Sequence, residues 1–160
     1  MVKRLFSRLL ISNKKKFEQN LEHESQQGIL LEVDPDRRWF VVLPHYKIEE
    51  LREEGGAPNL ILFRKRGMSS VARMRLVILI EKSELFIGDF TSDIEDRGYG
   101  SILLRSVVKL AELLGSNAIT GNLSPADSDH FDKLLYLYEK FGFEVNIRGD
   151  HGTIKKRIQS

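Results

Sequence analysis

Apolar positions along the 160-residue chain switch between the two periods that separate helix from strand. Val2, Leu5, Phe6, Leu9 and Leu10 share one helical face, and Phe17 and Leu21 continue it. Glu22 to Gln27 is wholly polar and reads as a connector. Gly28 to Val33 and Arg38 to Leu43 are β-like runs around Asp34-Pro35-Asp36-Arg37, where proline suits the second position of a turn, so a hairpin is predicted. Pro44 stops the second run. Ile48 and Leu51 then share one face of a short helix that Gly55-Gly56 terminates. Leu60 to Phe63, Val71 to Ile80 and Leu85 to Phe90 follow as strands in a meander, with Glu81-Lys82-Ser83 turning the chain between the last two.

The second half changes period twice more. Leu103, Leu104, Val107, Val108, Ala111 and Leu114 recur at helical spacing, and Gly115 is placed to end that helix. Ala118 to Leu123 reads as a strand running parallel to Leu85–Phe90 through a right-handed crossover. Ser124-Pro125 breaks it, and Asp127 or Ser128 can cap a further helix whose apolar stripe is Phe131, Leu134, Leu135 and Tyr138. Gly142 ends that helix. Phe143 to Ile147 and Thr153 to Ile158 close the chain as a hairpin around Arg148-Gly149-Asp150-His151-Gly152.

Between the third meander strand and the long helix stands Thr91-Ser92-Asp93-Ile94-Glu95-Asp96-Arg97-Gly98-Tyr99-Gly100-Ser101. The first N–H groups of a helix lack internal partners and carry the positive end of its dipole. Glycines at that end let an anion approach closely, so a strand, a two-glycine turn and a helix start fit a phosphate cradle. The same pattern also makes a plain tight turn. No Gly-Lys-Ser/Thr follows, which excludes a P-loop, and a third glycine for a dinucleotide fold is missing.

Composition narrows the classes. The length and ordinary apolar fraction suit one domain over residues 28–160, preceded by a basic amphipathic segment over residues 1–27. With no cysteine, disulfides, thiolate metal sites and cysteine nucleophiles are excluded, and four scattered histidines give no metal-site spacing. No apolar run is long enough to span a membrane, and a cytoplasmic location is the expectation. Lys3, Arg4, Arg8, Lys14, Lys15 and Lys16 gather in a start that holds no acid, while the net charge is only +2. The body therefore gives no reason to expect nucleic-acid binding. The basic helix reads either as a terminal helix packed on its own domain or as a docking element for a partner or an anionic membrane.

Arg97-Gly98-Tyr99-Gly100-Ser101 followed by Ile102-Leu103-Leu104 resembles the coenzyme A pyrophosphate loop of the GNAT-type N-acetyltransferase superfamily, which runs Gln/Arg-x-x-Gly-x-Gly/Ala and opens the central helix. The resemblance continues through Gly121-Asn122-Leu123-Ser124-Pro125 and Tyr138-Glu139-Lys140-Phe141-Gly142-Phe143, and covers about residues 84–147. It implies an α/β fold with a GNAT-like mixed sheet: a β-meander, then βαβ with the pyrophosphate loop, a helix and a closing β-hairpin. It also implies an acetyl-CoA-dependent enzyme that acetylates an amine, either a small molecule or a peptide. One position departs from the pattern. Glu95 stands where the family has Gln or Arg, with Asp96 beside it, and acids there repel a pyrophosphate. A catalytically inactive GNAT-like binding protein is therefore the alternative, and a module recruited through the N-terminal helix is another.

The resemblance implies residue roles. Backbone groups of Gly88, Asp89, Phe90 and Ser92 would hold the pantetheine arm as an added strand, and the loop from Glu95, Asp96 and Arg97 through Gly98, Tyr99, Gly100 and Ser101 would hold the pyrophosphate. Tyr138 matches the family's general acid, and is otherwise a core tyrosine. Glu84 stands at the spacing where some protein-acetylating members carry a glutamate base, and is otherwise a solvated turn residue. Asp89 is a second candidate base, and Asp127, Asp129 and His130 fall where substrate or cofactor contacts occur, the aspartates being otherwise helix caps and His130 a solvated loop residue. No metal is expected. The acceptor is open, and so is the oligomeric state, a homodimer included.

Overall fold

A computed structural model describes residues 2–64, 70–92, 98–125 and 131–159, with side chains in the first helix described from Ser12 onward. The opening helix α1 spans Val2–Gln27 and runs straight into strand β1, Gly28–Val33. Glu22 to Gln27 is thus helical rather than a connector. The glutamates and glutamines there are good helix formers, and a helix already nucleated upstream extends through them without any apolar residue. Strand β2 (Trp39–Pro44) pairs antiparallel with β1, Ile29 facing Leu43 and Val33 facing Phe40. Helix α2 (Ile48–Glu54) ends at Gly55, whose φ of 70° is left-handed. Strands β3 (Asn59–Arg64), β4 (Ser70–Leu79) and β5 (Glu84–Ser92) complete the predicted meander.

Helix α3 (Tyr99–Leu114) returns the chain to β6 (Ala118–Leu123), which pairs parallel with β5 as the crossover rule requires. Gly115, at φ 69°, ends α3 and is followed by a bond from Ser116 N–H to the Ala111 carbonyl. Helix α4 (Phe131–Lys140) and the hairpin β7 (Glu144–Arg148) and β8 (His151–Arg157) finish the fold. The hairpin is tighter than its composition suggests. Arg148 pairs with His151, so only Gly149-Asp150 forms the loop, and Gly149 at φ 66° supplies the conformation such a loop needs. The eight strands lie in the order β1-β2-β3-β4-β5-β6-β8-β7.

The two faces of this sheet differ. On one, Leu51 of α2 and Leu103, Leu104, Val107, Leu110 and Ala111 of α3 pack on Val41, Leu43, Leu60, Leu62, Met74, Leu76, Leu85 and Ile87. Helix α4 joins this core through Phe131, Leu134, Leu137 and Tyr138, and Phe141 just after it packs there too. The packed stripe keeps Phe131, Leu134 and Tyr138 of the predicted one and differs at one member: Leu137 packs into the core where Leu135 was expected. On the other face, α1 lies over β1 and β2, through Phe17 and Leu21 against Phe40 and Val42, with Phe63 of β3 at the edge of the same cluster. Phe17 is fully buried, with its ring edge-on to Phe40 at 5.5 Å, which contributes about 1.5–3 kcal/mol. From β3 to β8 that second face carries no helix among the described residues.

The β1–β2 turn is held by a buried carboxylate. Asp34 is 3% exposed and accepts from Arg38 N–H at 3.1 Å, Arg38 Nε at 2.6 Å and Arg38 Nη2 at 3.2 Å. These bonds from Arg38 hold its carboxyl below the usual aspartate range, although burial opposes them. The stabilisation is present at neutral pH and is lost as pH falls through the lowered folded value, below about 4. Asp34→Asn is expected to lower the urea midpoint at pH 7, and its deficit relative to wild type should shrink as pH drops from about 5 to about 2. A deficit that stayed constant over that range would show that the charge of Asp34 contributes nothing.

Candidate functional site

The site grows from a mismatch among four neighbouring strands, β4, β5, β6 and β8. β5 pairs with β6 only from Glu84↔Ala118 to Ile87↔Gly121. β6 stays in register with β8 as far as Leu123↔Gly152, and β5 stays paired with β4 as far as Ser92↔Ala72. The two parallel strands therefore part after Ile87, and Gly88 to Ser92 present a backbone edge that no described segment pairs with.

The parting coincides with a bulge. Met74 pairs with Phe90 and Leu76 with Ile87, so β5 carries one residue more than β4 between those pairs. An extra residue bends its strand and re-aims the side chains beyond it. Met74 and Leu76 are both core-facing, so Ile87 and Phe90 face the helical side together, which simple alternation from Ile87 would not give. Phe90 accordingly points at the start of α3, its Cζ 3.8 Å from where a Cβ on Gly100 would lie.

The N-terminus of α3 opens beside that edge. Gly98 is its N-cap at φ 74°, and no side chain caps the helix. The first intrahelical bond runs from Ile102 N–H to the Gly98 carbonyl, leaving the N–H groups of Tyr99, Gly100 and Ser101 without helical partners. The ring of Tyr99 is buried in the core, so this residue can offer a ligand only its backbone. Gly100 has a packing role: a Cβ there would sit 2.9 Å from Leu137 Cδ2 of α4, so the glycine lets α4 close onto the helix start. Gly98 has open space around it and is needed for its backbone conformation.

Glu84 and Tyr138 stand on opposite faces of the sheet. Glu84 is half-buried on the open face, in a depression of about 410 Å³ shared with Phe86, Thr120, Asn122 and Lys155. Thr120 Oγ1 donates a long 3.5 Å hydrogen bond to Glu84 Oε2, and Lys155 Nζ lies 3.6 Å from Oε1. Tyr138 lies on the helical face, 6% exposed, its ring edge-on to Phe143 at 5.3 Å. Glu84 lies about 10 Å along the strand from Ile87, where the slot begins.

Solved structures share this fold. The GNAT domain of S. lividans PAT superposes with a TM-score of 0.54 at 14% identity, over 72% of this chain and 65% of that one. The N-acetyltransferase PseH of Campylobacter jejuni, solved also in complex with acetyl coenzyme A, gives 0.52 at 17% identity, over 69% of this chain and 74% of that one. A GNAT-family acetyltransferase from Staphylococcus aureus gives 0.54 at 16% identity, over 69% and 76%. The fold is the GNAT fold.

No family model matches the sequence. The uncharacterised protein YocC of Bacillus subtilis is 25% identical over 146 residues, which is 86% of this chain and 79% of that protein. The chain spans about two thirds of the length of the S. lividans domain. Within the GNAT fold, the predicted residues Gly88, Asp89, Phe90, Ser92, Gly98, Tyr99, Gly100 and Ser101 gather along one slot and its mouth. Glu95, Asp96, Arg97, Asp127, Asp129 and His130 lie outside the described residues. No helix among the described residues is long and apolar enough to cross a membrane, and no cluster of metal-ligating side chains occurs among them. Sequence reasoning missed Thr120 and Lys155 beside Glu84, because the β6–β8 pairing that brings them there is between distant segments. It missed the bulge too, for which Gly88 was the one local pointer.

If Gly100 serves to seat Leu137, Gly100→Val should lower stability by about 1–3 kcal/mol, and adding Leu137→Ala should recover part of that loss. Thermal unfolding of the single and double variants checks this. A double variant no more stable than Gly100→Val would assign the cost to the backbone instead.

Proposed function

We propose that this chain is an acetyl-CoA-dependent N-acetyltransferase that moves an acetyl group to an amine. The observation that carries the reading is the edge of β5 from Gly88 to Ser92, which no described segment pairs with, running into the N–H groups of Tyr99, Gly100 and Ser101, which have no partner within the helix. An edge of alternating N–H and C=O groups suits an arm built of amide units, and a helix start suits a pyrophosphate. When bound, acetyl-CoA supplies an acetyl thioester whose C–S bond breaks as the acceptor's N–C bond forms.

The chain's own residues divide the proton work across the sheet. Glu84 faces the open side, from which an amine can approach. At about 10 Å along the strand from the slot it takes the amine's proton through water rather than by direct contact. Thr120 and Lys155 fix the carboxylate's position. Tyr138, on the helical side, gives its hydroxyl proton to the departing thiolate. Base and acid on opposite faces keep proton removal and proton supply apart.

Acetyl-CoA should raise the thermal midpoint of wild type, Glu84→Gln and Tyr138→Phe alike, because a ligand that binds only the folded state stabilises it. Coenzyme A release over an amine panel should then fall by roughly a hundredfold in each variant, with the loss in kcat. An unmoved wild-type midpoint would defeat the acetyl-transfer reading, and an unchanged rate in one variant would remove that residue from the mechanism.

A further inference from the structure

The helix-free face carries a second depression on the other side of the slot from Glu84. It encloses about 350 Å³ between Ala57, Asn59, Arg73, Arg75, Asp89 and Thr91. Arg73 and Arg75 alternate along β4 and so share this face, opposite the buried Ala72, Met74 and Leu76. Both are exposed, and no hydrogen bond or ion pair engages either guanidinium among the described residues. Arg73 pairs with Thr91 and Asn59 with Arg75, so short polar side chains flank the two cations. The rim is fixed by backbone bonds from Leu76 N–H to the Pro58 carbonyl and from Ile78 N–H to the Gly56 carbonyl.

Charge and position point the same way. Among the described residues Asp89 is the one acid lining the depression, against two guanidiniums, so that described lining keeps one net positive charge. Arg75 falls between the pairs Met74↔Phe90 and Leu76↔Ile87, directly across from the bulge at Gly88 and Asp89. A Cβ on Gly88 would lie 3.9 Å from Arg75 Cβ and Cγ, which sets the stem of this arginine beside the slot. An anion held here has its carrier's other end within a few bonds of the site of acyl transfer. Paired guanidiniums bind carboxylate and phosphate through parallel N–H bonds, and Asp89 is placed to attract an ammonium beside them.

We infer that Arg73 and Arg75 form an acceptor subsite for an anionic group, so that the amine substrate carries a carboxylate or a phosphate a few bonds from its nitrogen. The inference rests on the acetyl-transfer reading for the word acceptor, but binding at the subsite is measurable without turnover. The probes are 4-aminobutyrate, O-phosphoethanolamine and n-butylamine, titrated against the full chain while the arginine Nε–Hε resonances are followed by NMR. The two acidic amines should shift the Arg73 and Arg75 signals and n-butylamine should not. The tighter of the two acids identifies carboxylate or phosphate. Arg73→Gln and Arg75→Gln should each weaken acid binding about tenfold or more, while Arg157→Gln leaves it unchanged. Added salt should weaken it as well. The subsite is overturned if n-butylamine shifts the two signals as strongly as the acids, if neither acid shifts them, or if the glutamine variants bind the acids as wild type does. Acetyl-CoA's effect on the midpoint is read on the same samples. Its absence would end the acetyl-transfer reading while leaving the anion result standing, and its presence with no acid binding would end the subsite alone.

Discussion

The parallel contact between β5 and β6 is the constraint from which the rest of the molecule follows. It lasts four residue pairs and then stops. Gly121 sits at its last pair, where a Cβ would come within 3.1 Å of both the Ile87 carbonyl and the Ile154 side chain, so a larger residue would have to push its neighbours aside by a few tenths of an ångström. One step later the extra residue of β5 turns that strand with β4, while β6 remains with β8. The slot is therefore the consequence of two strands each keeping its outer partner. Its edge is a run of backbone groups inside a sheet that is otherwise fully paired there, which is costly unless water or a ligand satisfies them.

The asymmetry of the two faces gives that slot a direction. Helices α2, α3 and α4 fill one side, and the start of α3 meets the slot there with Leu137 packed beneath it. The other side is open from β3 onward, with Glu84 and Lys155 on one flank and Arg73 and Arg75 on the other. A donor held along the helical side and an acceptor arriving from the open side would meet at Gly88. This division is what the proposed mechanism and the proposed subsite share.

Much of this was legible in the sequence, for physical reasons. The apolar run Leu60–Phe63, the alternation from Ala72 to Leu76, helical spacing from Leu103 to Leu114, and Gly115 and Gly55 after helix ends are local signals, and local signals survive without tertiary context. The phase of a stripe is less secure: Leu135 and Leu137 both lie within reach of the core face of α4, and packing against the α3 start selected Leu137. The helix through Glu22–Gln27 was hidden because it buries nothing, its last anchor being Leu21. Gly100 was read for ligand access, and its packing role was hidden because Leu137, which occupies the space a Cβ would need, comes from a distant helix. The neighbours of Glu84 and the arginine pair depend on strand order, which no single segment records.

The free edge of β5 is tested most directly by amide hydrogen exchange of the full chain with and without acetyl-CoA. The account predicts that the ligand slows exchange at Gly88–Ser92 and at Tyr99, Gly100 and Ser101, while β1 and β2 exchange as before. Protection confined to other segments, with the β5 edge unchanged, would contradict it.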